Sequence, residues 1–172
     1  MPCAACGTGS FNLQASTDGN SESSQNPPPG FSVADVGSGF SSHNARFFAR
    51  WLNGRLQLGF RVAERHTNLR GILHGGMLAT FADTLLPYAA MYQSLGGRHF
   101  LPTISLQIDY LASAAIGAWI QGEAEVLRST RNLVFMQGLV TADEAVIARL
   151  SGIFKLGPGA ASPDRDFFGI KP

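Results

Sequence analysis

The segment at residues 66–92 decides the fold, and it reads HTNLRGILHGGMLATFADTLLPYAAMY. From Met77 to Tyr92 it is rich in alanine and in large apolar side chains, over a length that makes about four turns of α-helix. A helix that is apolar on nearly all sides is expected to be buried in the core of its domain. Asp83 is the only charged residue in this predicted helix.

Alternation of apolar and polar side chains predicts strands on both sides of the helix. Upstream, the alternation covers residues 55–62 and gives a first strand with one buried face. Downstream, a second strand is predicted at 103–110, and three further segments follow near 117–127, 132–142 and 145–156. A strand, a long helix and then four strands predict an α+β fold, in which an antiparallel sheet curves around one buried helix.

In the second strand, the alternation also predicts which side chains share a face of the sheet. The apolar set is expected on one face and the polar set on the other: Ile104, Leu106, Ile108 and Tyr110 against Thr103, Ser105, Gln107 and Asp109. A sheet that packs on a single helix leaves an edge and a face uncovered. Because pairing of two subunits would cover them, we expect a dimer.

Length and charge limit the classes of function. A chain of 172 residues suits one compact domain, predicted at 40–157 between a polar N-terminal tail or arm at 1–39 and a C-terminal tail at 158–172. The 13 Lys and Arg nearly balance the 12 Asp and Glu, so we expect neither nucleic acid nor a membrane as a partner. Since the sequence has neither a run of about 18 apolar residues nor a leader-like start, we expect a cytoplasmic protein.

The cysteines and histidines do not form a metal motif. Cys3 and Cys6 have the C-x-x-C spacing, but a structural zinc needs four ligands, and the nearest histidine is His43. A redox pair normally stands at the start of a helix after a strand, so we expect two reduced thiols in the tail. His66 and His74 are eight residues apart and lack the i, i+4 spacing of a helix-borne metal site, so no metal is predicted.

Two adjacent glycines, Gly75 and Gly76, stand directly before the predicted helix. They permit a tight turn and leave backbone N–H groups open to a ligand at the positive end of the helix dipole. Such donors stabilise a carbonyl oxygen that gains negative charge during a reaction. Two interpretations stay open: the turn is an oxyanion site, or the glycines only allow a sharp turn from loop to helix.

Asp83 also has two interpretations, a structural role and a catalytic role. A carboxylate within an apolar helix must be paired, hydrogen-bonded or neutralised, and no Lys or Arg lies within four residues of it. It has a structural partner on another element, or it takes part in a reaction. Gly76 and Asp83 are about 10 Å apart along a helix axis, too far to serve one carbonyl carbon. Antiparallel helices from two subunits would bring the turn of one to the carboxylate of the other.

Three runs stand out together: HTNLRGILHGGMLATFAD, LPTISLQIDYLASAAIG and a final strand that ends in GIFKL. The chain from about residue 40 to 156 resembles the hotdog-fold thioesterases of the phenylacetic-acid-degradation (PaaI-like) type, which include the thioesterase superfamily member 2 branch. The resemblance implies a single hotdog fold in an obligate homodimer, which can pair further into a tetramer. It also implies hydrolysis of an acyl-CoA, with no cofactor because coenzyme A is part of the substrate.

The resemblance assigns roles to residues at matching positions. Asp83 matches the acid that activates or orients the attacking water, or that attacks as a nucleophile. Gly75 matches the backbone N–H that polarises the thioester carbonyl, and Asn68 matches an asparagine near that carbonyl. Thr103 matches a hydroxyl residue that holds the water and that the facing subunit contributes together with Asp83. His74 is expected to support the turn, with direct participation in the reaction as the alternative.

Contacts to coenzyme A are expected from a few surface groups, since no Gly-rich phosphate loop is present. The candidates are Gly76 in the turn and the arginines Arg128 and Arg131, which have a second interpretation as solvated turn charges. Pro87 departs from the pattern of a regular helix. It has no N–H to bond the Asp83 carbonyl, so the helix is expected to kink or open just beyond that residue.

Two other functions stay open at this point. A hotdog hydratase or dehydratase of acyl thioesters would use a histidine and an acidic residue for proton transfer at carbon, although Asn68 and the His-Gly-Gly spacing match the hydrolase pattern better. A non-catalytic module that binds acyl-CoA is the other alternative.

Overall fold

The structure is a computed structural model that describes residues 26–159. Within them, seven strands form one antiparallel sheet, and one long α-helix packs against it. The predicted α+β arrangement is confirmed. In chain order, the elements are β1 (Ser32–Val33), α1 (Phe40–Asn44), β2 (Phe48–Leu52), β3 (Arg55–Arg61), a 3-10 turn (Glu64–His66), α2 (Gly75–Ala90), a π-helical turn (Met91–Leu95), β4 (Thr103–Tyr110), β5 (Trp119–Ser129), β6 (Leu133–Ala142) and β7 (Ala145–Lys155).

The strands lie in the order β1-β2-β3-β5-β6-β7-β4. Strands β5, β6 and β7 pair with their neighbours in sequence, which confirms the predicted meander. Helix α2 follows β3 and precedes β4, so it carries the chain across the sheet to its far edge, where β4 pairs with β7. The sheet therefore curves around α2 and places both ends of the helix beside strands of the far edge.

Helix α2 lies in the middle of the core. Its side chains Phe81, Leu85 and Leu86 have no exposed surface. Gly122 in β5 and Gly152 in β7 face the helix, and a Cβ at either position would collide with Leu85 or Leu86. The missing side chains of these two glycines therefore let the helix approach the sheet closely.

The predicted helix at 77–92 is confirmed, with shifted ends. It begins at Gly75, and the α-helix continues past Pro87 to Ala90. The helix opens into a wider π-helical turn at Met91–Leu95, so the opening expected just beyond Asp83 occurs about two turns later. Among the described residues, no helix has the length and apolar character needed to cross a membrane.

Three elements near the N-terminus were not predicted: β1, α1 and β2. The strand expected to be the first is therefore β3. Strand β1 pairs with β2 and lies inside the segment 1–39, so the described part of that segment is docked on the sheet. Phe31 beside it packs edge-on against Trp119, with 5.1 Å between ring centroids. Cys3, Cys6 and the C-terminal tail beyond residue 159 lie outside the described residues.

A β-bulge at the start of β4 changes the predicted facing of Thr103. Ser105 pairs with Ile153, whereas Thr103 pairs with Phe154, so Ile104 is an extra residue in the ladder. Residues that lie directly opposite in an antiparallel pair share a face, and Phe154 is fully buried on the helix side. Thr103 therefore faces the helix, and the prediction that grouped it with Ser105 is wrong. Bulges re-aim side chains in this way.

Strand β4 forms one edge of the sheet, and its apolar face is partly open to solvent. Ile104 is 57 % exposed and Tyr110 54 %, and the loop after β4 adds Leu111 at 61 % and Ile116 at 53 %. An apolar edge strand with unpaired backbone groups is a template for pairing with another chain. The predicted dimer stays a prediction, and this edge is the surface that suits it.

Candidate active site

A closed loop leads into the glycine turn at the start of α2. The His74 N–H ties its ends together by donating to the His66 carbonyl at 2.8 Å, and a β-bridge joins Thr67 to Leu73. His74 is the N-cap residue of the helix, because its Nδ1 accepts a hydrogen bond from the Gly76 N–H at 2.9 Å. A ring nitrogen that accepts this bond carries no proton, so neutral His74 holds its proton on Nε2.

Gly75 keeps its N–H group open. Its carbonyl oxygen accepts a hydrogen bond from the Tyr110 hydroxyl at 3.0 Å, but within residues 26–159 its N–H donates to no acceptor. An unpaired N–H at the positive end of a helix attracts a negatively charged oxygen. The turn therefore has the donor that an oxyanion site needs.

Asp83 lies on the exposed side of α2 in the single chain. Its partner comes from β4, because the Thr103 hydroxyl donates to Asp83 Oδ1 at 2.6 Å. No other hydrogen bond to this carboxylate is formed by the described residues, so Oδ2 is open to a water molecule. Thr103 reaches the carboxylate because the bulge at Ile104 turns it toward the helix.

Asn68 lies in the loop that closes in front of the glycine turn. Its Oδ1 accepts the Arg70 N–H at 2.9 Å, and its backbone N–H donates to the Ile72 carbonyl at 2.9 Å. Gly71 has a φ of 70°, a left-handed conformation that favours glycine. These bonds fix the Asn68 backbone and its Oδ1, and its Nδ2 amino group is left to donate to a ligand.

His66 is a structural residue of the same loop. It is 3 % exposed, its Nδ1 accepts the Ala63 N–H at 3.0 Å, and its Nε2 donates to the Asn44 carbonyl at 2.8 Å. Burial lowers the pKa of the His66 imidazole, against the opposing effect of the bond to Asn44. His66 therefore ties the loop to α1. Among the residues described, no three His, Cys, Asp or Glu side chains are grouped so that they could hold a metal ion.

The site residues fall into two pairs at the two ends of β4. Gly75 contacts Tyr110 at one end, and Asp83 contacts Thr103 at the other. Gly75 and Asp83 are about 12 Å apart along the helix axis, and the strand between Thr103 and Tyr110 is about 20 Å long, since Ile104 is an extra residue in the ladder. Within one chain, the open N–H and the carboxylate therefore do not meet at one carbon atom.

Arg128 and Arg131 lie at the β5–β6 hairpin, and both are exposed. A second bulge makes Leu127 an extra residue, so Arg128 pairs with Phe135 on the face of the sheet away from the helix. The hairpin is at the same end of the sheet as Thr103, three strands and about 14 Å away. The structure does not place Arg128 on the face that holds Thr103.

A cavity of about 300 Å³ opens beside Gly75. Tyr110 lines it, and most of the other lining residues are aliphatic, among them Leu73, Leu78, Leu111, Ala114 and Ile147. Neither Tyr110 nor this cavity was predicted, since a tyrosine in an alternating strand gives no signal of a contact with a distant turn. A second cavity, of about 420 Å³, lies on the outer face of the sheet among charged and polar side chains, and none of the predicted site residues line it.

A curved antiparallel sheet around one helix, with a capped glycine turn at the start of that helix and a carboxylate farther along it, defines the hotdog-fold class. The sequence profile of the thioesterase superfamily matches residues 70–148. The structure of zebra fish thioesterase superfamily member 2 is 30 % identical to this chain, with a TM-score of 0.60, and the match covers 72 % of this chain and 90 % of that one.

Two curated relatives extend the comparison. A Pseudomonas aeruginosa protein that bears an esterase name is 29 % identical over 132 residues, which is 76 % of this chain and 98 % of that protein. Mouse acyl-coenzyme A thioesterase 13 is 35 % identical over 75 residues, 44 % of this chain and 52 % of that protein, so the chain spans about half of that relative. The chain belongs to the thioesterase superfamily and is a thioester hydrolase.

Proposed function

We propose that the chain hydrolyses an acyl-CoA thioester to a free acid and coenzyme A, at a site that two subunits share. The observation that carries the proposal is the placement of an open N–H and a held carboxylate at opposite ends of one edge strand. The choice of coenzyme A as the thiol part of the substrate is supported by the names of relatives such as acyl-coenzyme A thioesterase 13.

Antiparallel pairing of two β4 edges would complete the site. A two-fold axis through the middle of β4 sets the Thr103 end of one subunit against the Tyr110 end of the other. Asp83 of one subunit then lies near Gly75 of its partner, and the pairing repeats on the other side of the axis. It would also cover the exposed Ile104 and satisfy the free backbone groups of the edge.

The groups at such a shared site match the steps of thioester hydrolysis. The Gly75 N–H, with the Asn68 amide beside it, polarises the carbonyl oxygen and stabilises the oxyanion of the tetrahedral intermediate. Asp83 accepts the proton of a water molecule, whose oxygen bonds to the carbonyl carbon. The carbon–sulfur bond then breaks, and the proton leaves with the thiolate as coenzyme A. Thr103 holds one carboxylate oxygen so that the other faces the water.

Asp83 has a second possible route, in which the carboxylate itself attacks and forms a mixed anhydride that water opens. A single turnover in water labelled with oxygen-18 separates the two routes. Direct attack by water puts the label in the released acid and leaves Asp83 unlabelled. When water opens the anhydride at its aspartyl carbonyl carbon, the first label stays in the Asp83 carboxylate, so label on Asp83 after one turnover identifies the nucleophilic route.

The acyl group and the coenzyme A part of the substrate are proposed to bind in different surroundings. The apolar cavity beside Gly75 suits the segment of the substrate next to the carbonyl carbon. Arg128 and Arg131 are proposed contacts for coenzyme A, whereas Gly76 could contribute only van der Waals contact, because its N–H donates to His74 Nδ1. Because Arg128 faces away from the helix, it could serve only a nucleotide end that wraps around the sheet edge or that belongs to a neighbouring subunit's site. Substitution of both arginines by alanine should abolish the salt dependence of KM if they bind phosphates.

A thiol-release assay across acyl-CoAs of short, medium, long and aromatic acyl groups tests the proposal. The parent should release thiol from at least one of them, and Asp83→Asn should lower kcat about 10²- to 10⁴-fold while substrate binding is retained. Equal activity in Asp83→Asn and the parent would contradict the role of the carboxylate. An absorbance change at the acyl double bond without thiol release would favour a hydratase, and binding without turnover would favour a binding module.

A further inference from the structure

The peptide unit between Gly75 and Gly76 is held at both of its polar ends. Its carbonyl oxygen accepts a hydrogen bond from the Tyr110 hydroxyl at 3.0 Å, and its N–H donates to His74 Nδ1 at 2.9 Å. The two holding side chains come from different elements, because His74 caps α2 and Tyr110 ends β4. The peptide is therefore fixed relative to both the helix and the sheet edge.

This peptide needs external support because both of its residues are glycines. Glycine has the largest backbone freedom of any residue, and the first turn of a helix lacks the intrahelical bonds that its later N–H groups form. Rotation about the Gly75 backbone would also swing the adjacent open N–H, since the two peptide planes share one Cα atom. A donor that is fixed before the reaction stabilises an oxyanion without a reorganisation cost.

Tyr110 also limits the turn by contact. A Cβ at Gly75 would lie 3.4 Å from the Tyr110 ring, so the ring packs directly over the Gly75 backbone. The hydroxyl and the ring thus act on the same residue. Tyr110 is 54 % exposed, which makes burial in the core of a single chain a minor part of its role.

We propose that Tyr110 is a positioning residue for the oxyanion site, which acts with His74 as a clamp on the Gly75–Gly76 peptide. The proposal rests on the proposed function, because it assigns the Gly75 N–H to the thioester oxygen. The hydroxyl of Tyr110 does not touch the reacting atoms. It acts through the peptide, and the clamp also links the turn to the strand edge at which the second subunit is proposed to pair.

Tyr110→Phe is the direct test because it keeps the ring and removes the hydroxyl. We expect kcat to fall about fivefold to tenfold with KM nearly unchanged, since the lost support affects the transition state more than the bound substrate. Amide hydrogen exchange of a peptide that covers 73–78 should become faster in the same variant. Tyr88→Phe is the matched control. It removes a tyrosine hydroxyl from helix α2, about 20 Å along the helix from Gly75 of the same subunit.

His74 gives a second and independent test of the clamp. His74→Ala should lower kcat and speed amide exchange at the turn, because the acceptor of the Gly76 N–H is lost. His74→Asn should restore most of both, since asparagine at an N-cap accepts the same bond. Rescue by asparagine separates the clamp from an acid–base role of the imidazole, which asparagine cannot take over.

The outcomes separate this inference from the function on which it rests. If the parent releases no thiol from any acyl-CoA, the proposed function fails, and the exchange measurements still report whether the clamp exists. If the parent is active and Asp83→Asn is not, but Tyr110→Phe matches the parent in kcat and in exchange, the clamp is wrong and the function stands. Failure of His74→Asn to restore activity lost in His74→Ala would also overturn the clamp.

Discussion

The two ends of strand β4 hold the two halves of the site by different means. At the Tyr110 end, the functional group is a backbone N–H, and a closed loop, an N-cap and a tyrosine fix its direction. At the Thr103 end, the functional group is an exposed carboxylate with a single hydroxyl partner, which a β-bulge turns toward it. The first half is thus built mainly from neighbours in sequence, and the second depends on strand register.

Among changes that leave Asp83 in place, removal of the donor at the Tyr110 end should have the largest effect. Gly75→Pro deletes the N–H at the first helical position, where proline is well tolerated, and the extended φ and ψ of His74, −71° and 133°, suit a residue before proline. We expect kcat to fall about 10²- to 10³-fold without loss of the fold, as loss of an oxyanion donor does. Steady-state kinetics and circular dichroism measure the two properties.

Gly75→Ala is the matched control for that variant. It keeps the N–H and adds a Cβ at 3.4 Å from the Tyr110 ring, a tight contact that a small shift relieves. Its kcat should stay within about tenfold of the parent. If Gly75→Pro were as active as Gly75→Ala, this N–H would have no part in the reaction.

At the Thr103 end, loss of the hydroxyl should have a smaller effect. Thr103→Val has nearly the same shape and cannot donate to Asp83, so we expect kcat to fall about tenfold, since the bond to a charged group is made at an exposed site. Thr103→Ser keeps the hydroxyl and should remain close to the parent. A serine variant as impaired as the valine variant would point to packing of the methyl group instead.

Deletion of Ile104 tests whether the pairing of Thr103 with Phe154 is enough to keep this contact. The deletion removes the extra residue and makes Thr103 and Ser105 neighbours, so the two side chains still face opposite sides of the sheet and Thr103 still faces the helix. We expect kcat to stay close to that of the parent, and a further Thr103→Val change to lower kcat about tenfold, as it does in the parent. If Thr103→Val had no effect in the deletion background, the pairing of Thr103 with Phe154 would not be what brings its hydroxyl to Asp83.

The smallest effect expected is a loss of protein stability in mild acid, caused by His66 in the loop before Gly75. Because burial lowers the pKa of His66 in the folded protein, the unfolded chain takes up a proton near pH 6.5 while the folded chain does not. The contribution of neutral, buried His66 to the free energy of unfolding should therefore be at its maximum above that pH and should decrease as the pH falls below it. Urea titrations should show this decrease in the parent and in His43→Gln, and a weaker one in His66→Gln.

Periodicity alone was sufficient to predict most of the core. The apolar run that became α2 and the alternation that became β3 were recognised because their apolar side chains pack in the core. The alternation in β4 also predicted a strand, although Ile104 and Tyr110 are about half exposed in the single chain. Strand β2 was missed because its sequence, FARWL, is buried over its first half on both faces and does not alternate. Strand β1 has two residues, too few for any pattern.

Some site residues could be predicted from local sequence, and others could not. Gly75 and Asp83 were singled out because glycine pairs and a lone carboxylate are unusual around an apolar helix, and their catalytic roles stay predictions. The facing of Thr103 was not predictable, since a bulge depends on which residue of β7 pairs with which residue of β4. The bond from Tyr110 to Gly75 joins residues 35 positions apart, and no local pattern in either segment encodes it.

The central claim is that a donor of one subunit and a carboxylate of the other serve one carbon atom, and mixing of two inactive variants tests it most directly. Gly75→Pro and Asp83→Asn subunits would be unfolded together in equal amounts and refolded. If the site is shared, each mixed dimer has one intact site, and about one quarter of the parent activity should return, since half of the randomly formed dimers are mixed. If the mixture stays as inactive as its two components while mixed dimers form, the shared site is contradicted.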